Sequence, residues 1–251
     1  MRCDVGGERE IYYEVHGDPS KPTILLIHGH TASSAVFSAM VSSLTDKRHV
    51  LLVDLLGHGR SSRHQRPPRH LWEENAIAIL RLLDQLRIHR LDLLGTGGGA
   101  VVALNLTILA PSYIRRAIAD SFYGLGLLPG EAVELAAGRE QAMMEPGISD
   151  FWHSLHGDDW REVVSMNTIA ITEAARRRLP LYVGDPARIV QPTLMTGSET
   201  DDLIPEAGER LRSFARYLPS AEVIVFERGG HPAMFSNASP FLAALEGFLG
   251  G

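Results

Sequence analysis

The sequence predicts an α/β protein built on a mainly parallel, doubly wound sheet with a helical insertion late in the chain. Three observations predict it. Short apolar runs such as Thr23–Ile27 and His49–Asp54 alternate with stretches of helical period, the pattern of strands covered on both faces by helices. Between Leu91 and Leu104 an apolar run breaks into Gly95-Thr96-Gly97-Gly98-Gly99 and then resumes, which reads as a strand, a very tight turn and a helix. From Tyr123 to Pro186 the alternation stops, and three short helical stretches lie among glycines and prolines.

In chain order, Ile11–Val15 alternates and carries β-prone residues, and Asp18-Pro19-Ser20 turns the chain into the apolar run Thr23–Ile27. That run ends in His28-Gly29-His30. Ala35 to Leu44 has helical spacing, and His49–Asp54 is a second buried strand leading into Leu55-Leu56-Gly57-His58-Gly59-Arg60-Ser61. Leu71 to Leu86 is the longest periodic helix, with Ile77, Leu80, Leu83 and Leu86 expected on its core stripe. The glycine-rich turn, a helix to Ala110 and a strand over Ile114–Asp120 follow. Glu131–Gln141, Phe151–His156 and Trp160–Ile171 are the expected helices of the insertion. The sheet resumes at Pro192–Gly197 and Ala221–Phe226, with helices over Glu206–Tyr217 and Pro240–Leu249.

A chain of 251 residues that is 45% hydrophobic is long enough for one sizeable core. The expected division is a core of residues 1–122 and 187–251 with an inserted cap of residues 123–186. The net charge of -6 leaves no broad basic surface, so nucleic acid is not an expected partner. Cys3 is the single cysteine, which fits a reducing compartment. With neither a signal-peptide pattern at Met1-Arg2-Cys3-Asp4 nor an apolar run of membrane-spanning length, the expectation is a cytoplasmic protein acting on a small molecule. No metal cluster or phosphate cradle is visible, so neither a metal nor a cofactor is expected; composition leaves the oligomeric state open.

Two mechanisms use a turn like 95–99. The dinucleotide fingerprint G-x-G-x-x-G would need Ala100 as its third small residue and belongs on the first strand of a sheet. The nucleophile elbow G-x-S-x-G fits every position except the central one, where Gly97 stands in place of serine.

With these pieces placed, the chain resembles the α/β-hydrolase superfamily over almost its whole length. His28-Gly29-His30 is similar to the H-G-x turn after the third strand, and Asp54–Ser61 to the D-x-x-G-x-G-x-S stretch after the fourth. Gly197–Pro205 resembles the acid loop after the next-to-last strand, and Gly230-His231-Pro232-Ala233-Met234 the catalytic histidine segment. The resemblance implies His231 as a base oriented by an acid, with backbone amides of His30 and Gly98 holding an oxyanion. Asp201 is favoured as that acid because it lies four residues before Pro205, the commoner spacing in the family; Asp202 is read as a solvated loop residue. Asp120 is the reserve acid, since some relatives carry theirs after that strand, and His58 is read as ordering its loop. Thr96, Ser121 and Tyr123 beside the elbow are candidate substrate contacts. So are Trp152 and Trp160 of the insertion, which would suit the wall of an apolar pocket or would simply pack the insertion together.

The departure is Gly97, which takes away the oxygen on which the family's covalent chemistry depends. Three readings fit it: an enzyme in which His231 acts as general base on water or on a substrate proton of a small, largely apolar carbonyl compound, for hydrolysis, C–C cleavage or proton abstraction; a binding protein, for which the N-myc downstream-regulated branch of the superfamily is a precedent; or a serine hydrolase disabled at position 97.

Overall fold

A computed structural model describes residues 1–250. Eight strands form one sheet: β1 (Arg2–Asp4), β2 (Glu10–His16), β3 (Thr23–Ile27), β4 (His49–Asp54), β5 (Leu91–Thr96), β6 (Ile114–Asp120), β7 (Thr193–Ser198) and β8 (Ala221–Phe226). Their order across the sheet is β1-β2-β4-β3-β5-β6-β7-β8. Only the β1–β2 and β2–β4 pairs are antiparallel; the remaining pairs are parallel. β1 is the strand that sequence reading missed. Three residues are too few to show a period, and the strand exists through its pairing with β2.

The continuous apolar runs have their physical reason in this topology. β3 and β5 are central, and Ile24, Leu25, Leu26, Ile27, Leu93 and Leu94 are all fully buried. Odd and even positions feed different layers: Leu25, Ile27 and Leu93 join one apolar cluster, Ile24, Leu26 and Leu94 the other. The first layer is covered by α2 (Leu71–Leu86) and α3 (Gly98–Leu109), and the second by α1 (Ser38–Thr45) and the last helix, α7 (Ala238–Gly250). α2 begins and ends at the residues expected, but its buried face differs from the expected stripe. Leu71, Trp72, Asn75, Ala76, Ile79, Leu82 and Leu83 are buried, while Ile77, Leu80 and Leu86 sit only partly covered. The helix packs against both the sheet and α3, so its contact face is wider than and rotated from a single i, i+3 stripe.

At the lower end of the sheet, opposite the strand ends that carry the site residues, Asp92 of β5 is wholly buried between Arg48 and Arg115. Arg48 Nη1 lies 3.0 Å from its carboxylate, and Arg48 Nη2 also donates to the Leu249 carbonyl at 2.8 Å. This ion triad fastens the last helix under the sheet.

Between β6 and β7 the chain makes α4 (Pro129–Ala142), α5 (Pro146–His156) and α6 (Trp160–Arg176), close to the three helices expected there. The return leg docks on α3 through Asn105, whose Nδ2 donates to the Leu181 carbonyl at 2.8 Å and whose Oδ1 accepts from the Val183 amide at 2.7 Å. No helix among the described residues is long and apolar enough to cross a membrane.

Candidate active site

All the landmarks read from sequence converge at the C-terminal ends of the parallel strands. Gly97 joins β5 to α3 with φ +54° and ψ -121°, a backbone state open to glycine and costly for any other residue. The turn is held independently of any side chain, since Gly97 N donates to the Asp120 carbonyl at 2.8 Å and Ala100 N to the Gly97 carbonyl at 3.1 Å.

His231 follows β8, and its Nδ1 lies 3.0 Å from Asp201 Oδ2. The Asp201 carboxylate is fully buried and fixed by two further donors, the amides of Leu203 at 2.9 Å and Ile204 at 2.8 Å on Oδ1. Those hydrogen bonds and the nearby imidazole more than offset the desolvation of Asp201, so its pKa falls and it stays ionised. With Nδ1–H donated to this anion, Nε2 of the neutral ring is the free, basic nitrogen. It points at the elbow: a Cβ built on Gly97 would stand 3.6 Å from it.

Asp202 is not merely solvated, as the sequence reading had it. Its Oδ1 accepts from the His231 backbone amide at 2.6 Å and so tethers the histidine segment to the acid loop. Asp120 makes no hydrogen bond to His231. It lies buried under the elbow, accepting from Thr96 Oγ1 at 2.9 Å and Thr196 Oγ1 at 2.7 Å, and burial raises its pKa to about 6. Thr96 therefore points beneath the turn rather than over it. Ser121 has φ +49°, and its hydroxyl accepts from the Ala233 amide at 2.8 Å, which ties the histidine segment to the end of β6. Its carbonyl oxygen would lie 3.9 Å from a Gly97 Cβ. Tyr123 donates to the Leu203 carbonyl at 3.2 Å, beside the acid loop.

The turn after β3 packs directly on the elbow. A Cβ on Gly98 would overlap the His30 ring, so glycine there admits this close approach. The backbone amides of His30 and Gly98 have no acceptor within the protein among the described residues, and Gly98 opens the first turn of α3, where N–H groups project free. Asp54 holds this side together, its carboxylate accepting from the Ser34 and Arg60 amides, each at 2.7 Å. His28 Nε2 accepts from the Leu55 amide at 2.9 Å, and His58 donates to the Leu56 carbonyl at 3.1 Å, so both histidines order loops.

The His30 ring is faced by Trp72 Nε1 at 3.3 Å and by Asn167 Nδ2 at 3.3 Å. Both neighbours present N–H groups, and a neutral imidazole can accept at only one nitrogen. Burial and the positive Arg139 nearby push the His30 pKa well below its ordinary value, so the ring stays neutral. Asn167 and Arg139 belong to the helical insertion, and sequence reading singled out neither. Helical period says that α4 and α6 exist, but not which polar side chain of each turns toward the core.

Trp152 and Trp160 lie against each other, ring centroids 5.8 Å apart, in a small apolar cluster with Val164 inside the insertion. Both rings are buried. Among the described residues no group of three or more metal-ligating side chains is arranged to hold an ion.

An eight-stranded, mainly parallel sheet with an elbow after β5, an acid after β7 and a histidine after β8 defines a hydrolase-type fold, and sequence comparison agrees. Residues 24–245 match the Alpha/beta hydrolase family, and the chain belongs to it. Similar proteins include the putative carbamate hydrolase RutD of Stutzerimonas stutzeri (strain A1501), 26% identical over 92% of this chain and 93% of that protein. Another is the 2-hydroxymuconate semialdehyde hydrolase of Pseudomonas sp. (strain CF600), 25% identical over 90% of this chain and 86% of that one. Among solved structures, 2-hydroxy-6-oxo-6-phenylhexa-2,4-dienoate hydrolase from Rhodococcus sp. strain RHA1 superposes with a TM-score of 0.82. The match covers 100% of this chain and 98% of that one at 20% identity, a likeness of fold.

Proposed function

We propose that this protein is a hydrolase in which His231, oriented by Asp201, activates water for attack on the carbonyl group of a small substrate, without a serine nucleophile. One observation carries the reading: His231 Nε2 faces the elbow with its other nitrogen on a buried carboxylate, and glycine leaves free the position that a serine hydroxymethyl would fill. A water there is within reach of the base. His231 takes its proton, the hydroxide oxygen bonds to the carbonyl carbon, and the His30 and Gly98 amides receive the charge that develops on the carbonyl oxygen. The imidazolium, stabilised by Asp201, then returns the proton to the leaving group as its bond breaks.

The names of the relatives, a carbamate hydrolase and a semialdehyde hydrolase, indicate where to look first: small carbamates and small oxo compounds. Turnover of such a panel in ¹⁸O-labelled water should yield singly labelled acid, with no acyl-enzyme trapped by rapid acid quench. A protein that binds members of the panel and turns over none of them would be the ligand-binding alternative, and the hydrolase reading would be abandoned.

A further inference from the structure

The acid that orients His231 is itself held from outside its own loop. Leu203 and Ile204 donate their amides to Asp201 Oδ1, at 2.9 and 2.8 Å. The Ile204 N–H and the Leu203 carbonyl belong to one planar peptide unit, so a group that grips the carbonyl also fixes the direction of the N–H. Tyr123 is such a group, since its hydroxyl donates to the Leu203 carbonyl at 3.2 Å. Burial and the nearby Glu131 carboxylate push the Tyr123 pKa above its ordinary value, so the phenol keeps its proton to donate.

Arg210, in the helix Ala207–Ala215, holds both Tyr123 and the far end of the same loop. Its guanidinium lies over the Tyr123 ring, 5.9 Å from the centroid, and its Nε donates to the Pro205 carbonyl at 2.8 Å. Glu131 of α4 grips Arg210 in turn: its Oε1 accepts from Nη2, and its Oε2 accepts from the Leu128 amide at 2.7 Å. Both charged side chains are largely covered, where a paired guanidinium is held in a fixed direction. Hydrogen bonds in series polarise one another, so a donor at one end of a peptide strengthens the bond made by the other end. The series here runs from the Tyr123 hydroxyl through the 203–204 peptide and the Asp201 carboxylate to His231 Nδ1.

We infer that Tyr123 and Arg210 are positioning residues for His231, setting its tautomer through the Leu203–Ile204 peptide and Asp201. This rests on the reading of His231 as the general base. With Asp201 held against Nδ1–H, the neutral ring keeps its lone pair on Nε2, which faces Gly97. With the loop loosened, part of the population carries the proton on Nε2 and has no base at the elbow. Tyr123, expected from sequence as a substrate contact, gains a role that needs no contact with the substrate. Because Glu131 holds Arg210, the state of the base also answers to how the insertion sits.

The tautomer is read in the free protein, so the test needs no substrate. In protein labelled with ¹⁵N-histidine at about pH 8, where an ordinary imidazole is neutral, long-range ¹H–¹⁵N correlations give the Nδ1–H to Nε2–H ratio of His231. The signals are assigned by their loss in His231→Ala. Tyr123→Phe should lower the ratio about threefold or more, the scale of one weakened hydrogen bond. Arg210→Gln should lower it in the same direction with Tyr123 in place, and decides by the same criterion if Tyr123→Phe fails to fold. Tyr182→Phe is the control: that ring is buried, and its hydroxyl donates to the Gly124 carbonyl at 2.6 Å rather than to the acid loop. It should leave the ratio unchanged. A ratio unchanged or raised by Tyr123→Phe, or lowered as far by Tyr182→Phe, would overturn the inference. A protein that shows the expected shifts and yet turns over no carbonyl substrate would overturn the hydrolase reading and leave the positioning standing.

Discussion

The floor of the site and its roof are built differently. On the floor, each group is positioned by more than one directed bond internal to the sheet end: Asp201 by three, the histidine segment by Asp202 and Ser121, the elbow by the Asp120 carbonyl and the Ala100 amide. The roof meets the core through Ala170, Ile171 and Ala174 of α6, which join the main apolar cluster, and through polar contacts several of which are ionisable. Arg63 clasps Asp159 at 2.6 Å, and His156 bridges the seam by accepting from the Gly59 amide at 3.0 Å and donating to the Thr31 carbonyl at 3.0 Å. A reaction geometry needs a rigid floor; the ionisable contacts of the roof are ones that pH can weaken. The difference separates what is fixed from what can open.

The largest effect expected concerns the floor. His231→Ala should lower turnover of a working substrate by about 100- to 10,000-fold, the scale of lost general-base catalysis. Asp201→Asn should also impair it, while leaving ligand affinity nearly unchanged. Variants that retain full turnover would show that the base lies elsewhere.

Acid should then separate the two regions. His156 is neutral in the folded seam, with its pKa pushed down to about 4 by burial. The unfolded value is near 6.5, so this docking is at full strength above about pH 6.5 and weakens as pH falls toward 4, by up to roughly 3 kcal/mol. Asp120 on the floor runs the other way. Its folded pKa of about 6 exceeds the unfolded value, so the floor gains stability as pH falls from about 6 toward 4, by up to about 3 kcal/mol. Amide exchange followed from pH 7 to 4 should therefore show α5 and α6 opening ahead of β5 and β6. Asp120→Asn should remove the floor's gain and leave the roof's loss in place. Simultaneous opening of both regions would mean that they form one cooperative unit.

The smallest effect on folding belongs to position 97. Gly97→Ser should cost about 1 to 3 kcal/mol, because serine must adopt a backbone state that glycine occupies freely. The same variant should gain slow esterase activity on short nitrophenyl esters and become labelled by fluorophosphonates at position 97, where the wild-type protein is not. A variant that folds with the expected loss and still hydrolyses nothing would rule out a disabled serine hydrolase.

The same contrast explains what was legible in the sequence. The floor is made of residues next to strand ends, and each carries a local signature: glycines around Gly97, an aspartate four before Pro205, and a histidine after a buried strand. The strand alternation fixes the rest, since parallel strands in a doubly wound sheet bring those ends to one edge. The roof's contacts join residues far apart in sequence, such as Arg63 with Asp159 and His30 with Asn167, through helix faces that no period identifies. Trp152 and Trp160 were visible as apolar mass, but their facing each other depends on how α5 crosses α6. Asp202 looked like a loop residue because its partner is a backbone amide, which has no residue identity to read.

One feature of the elbow reaches beyond this protein's own chemistry. The φ and ψ of Gly97 are imposed by backbone hydrogen bonds to its neighbours, so the turn survives whichever small residue stands there. Glycine codons GGU and GGC differ from serine codons AGU and AGC by a single base. A lineage that writes this glycine as GGU or GGC is thus one point mutation from a hydroxyl placed against His231, and one reversion from losing it. The step to serine costs about 1 to 3 kcal/mol of strain, the step back relieves it, and neither rebuilds the site. Selection can cross that step in both directions, and a laboratory library at codon 97 would reveal which side the remainder of the site prefers.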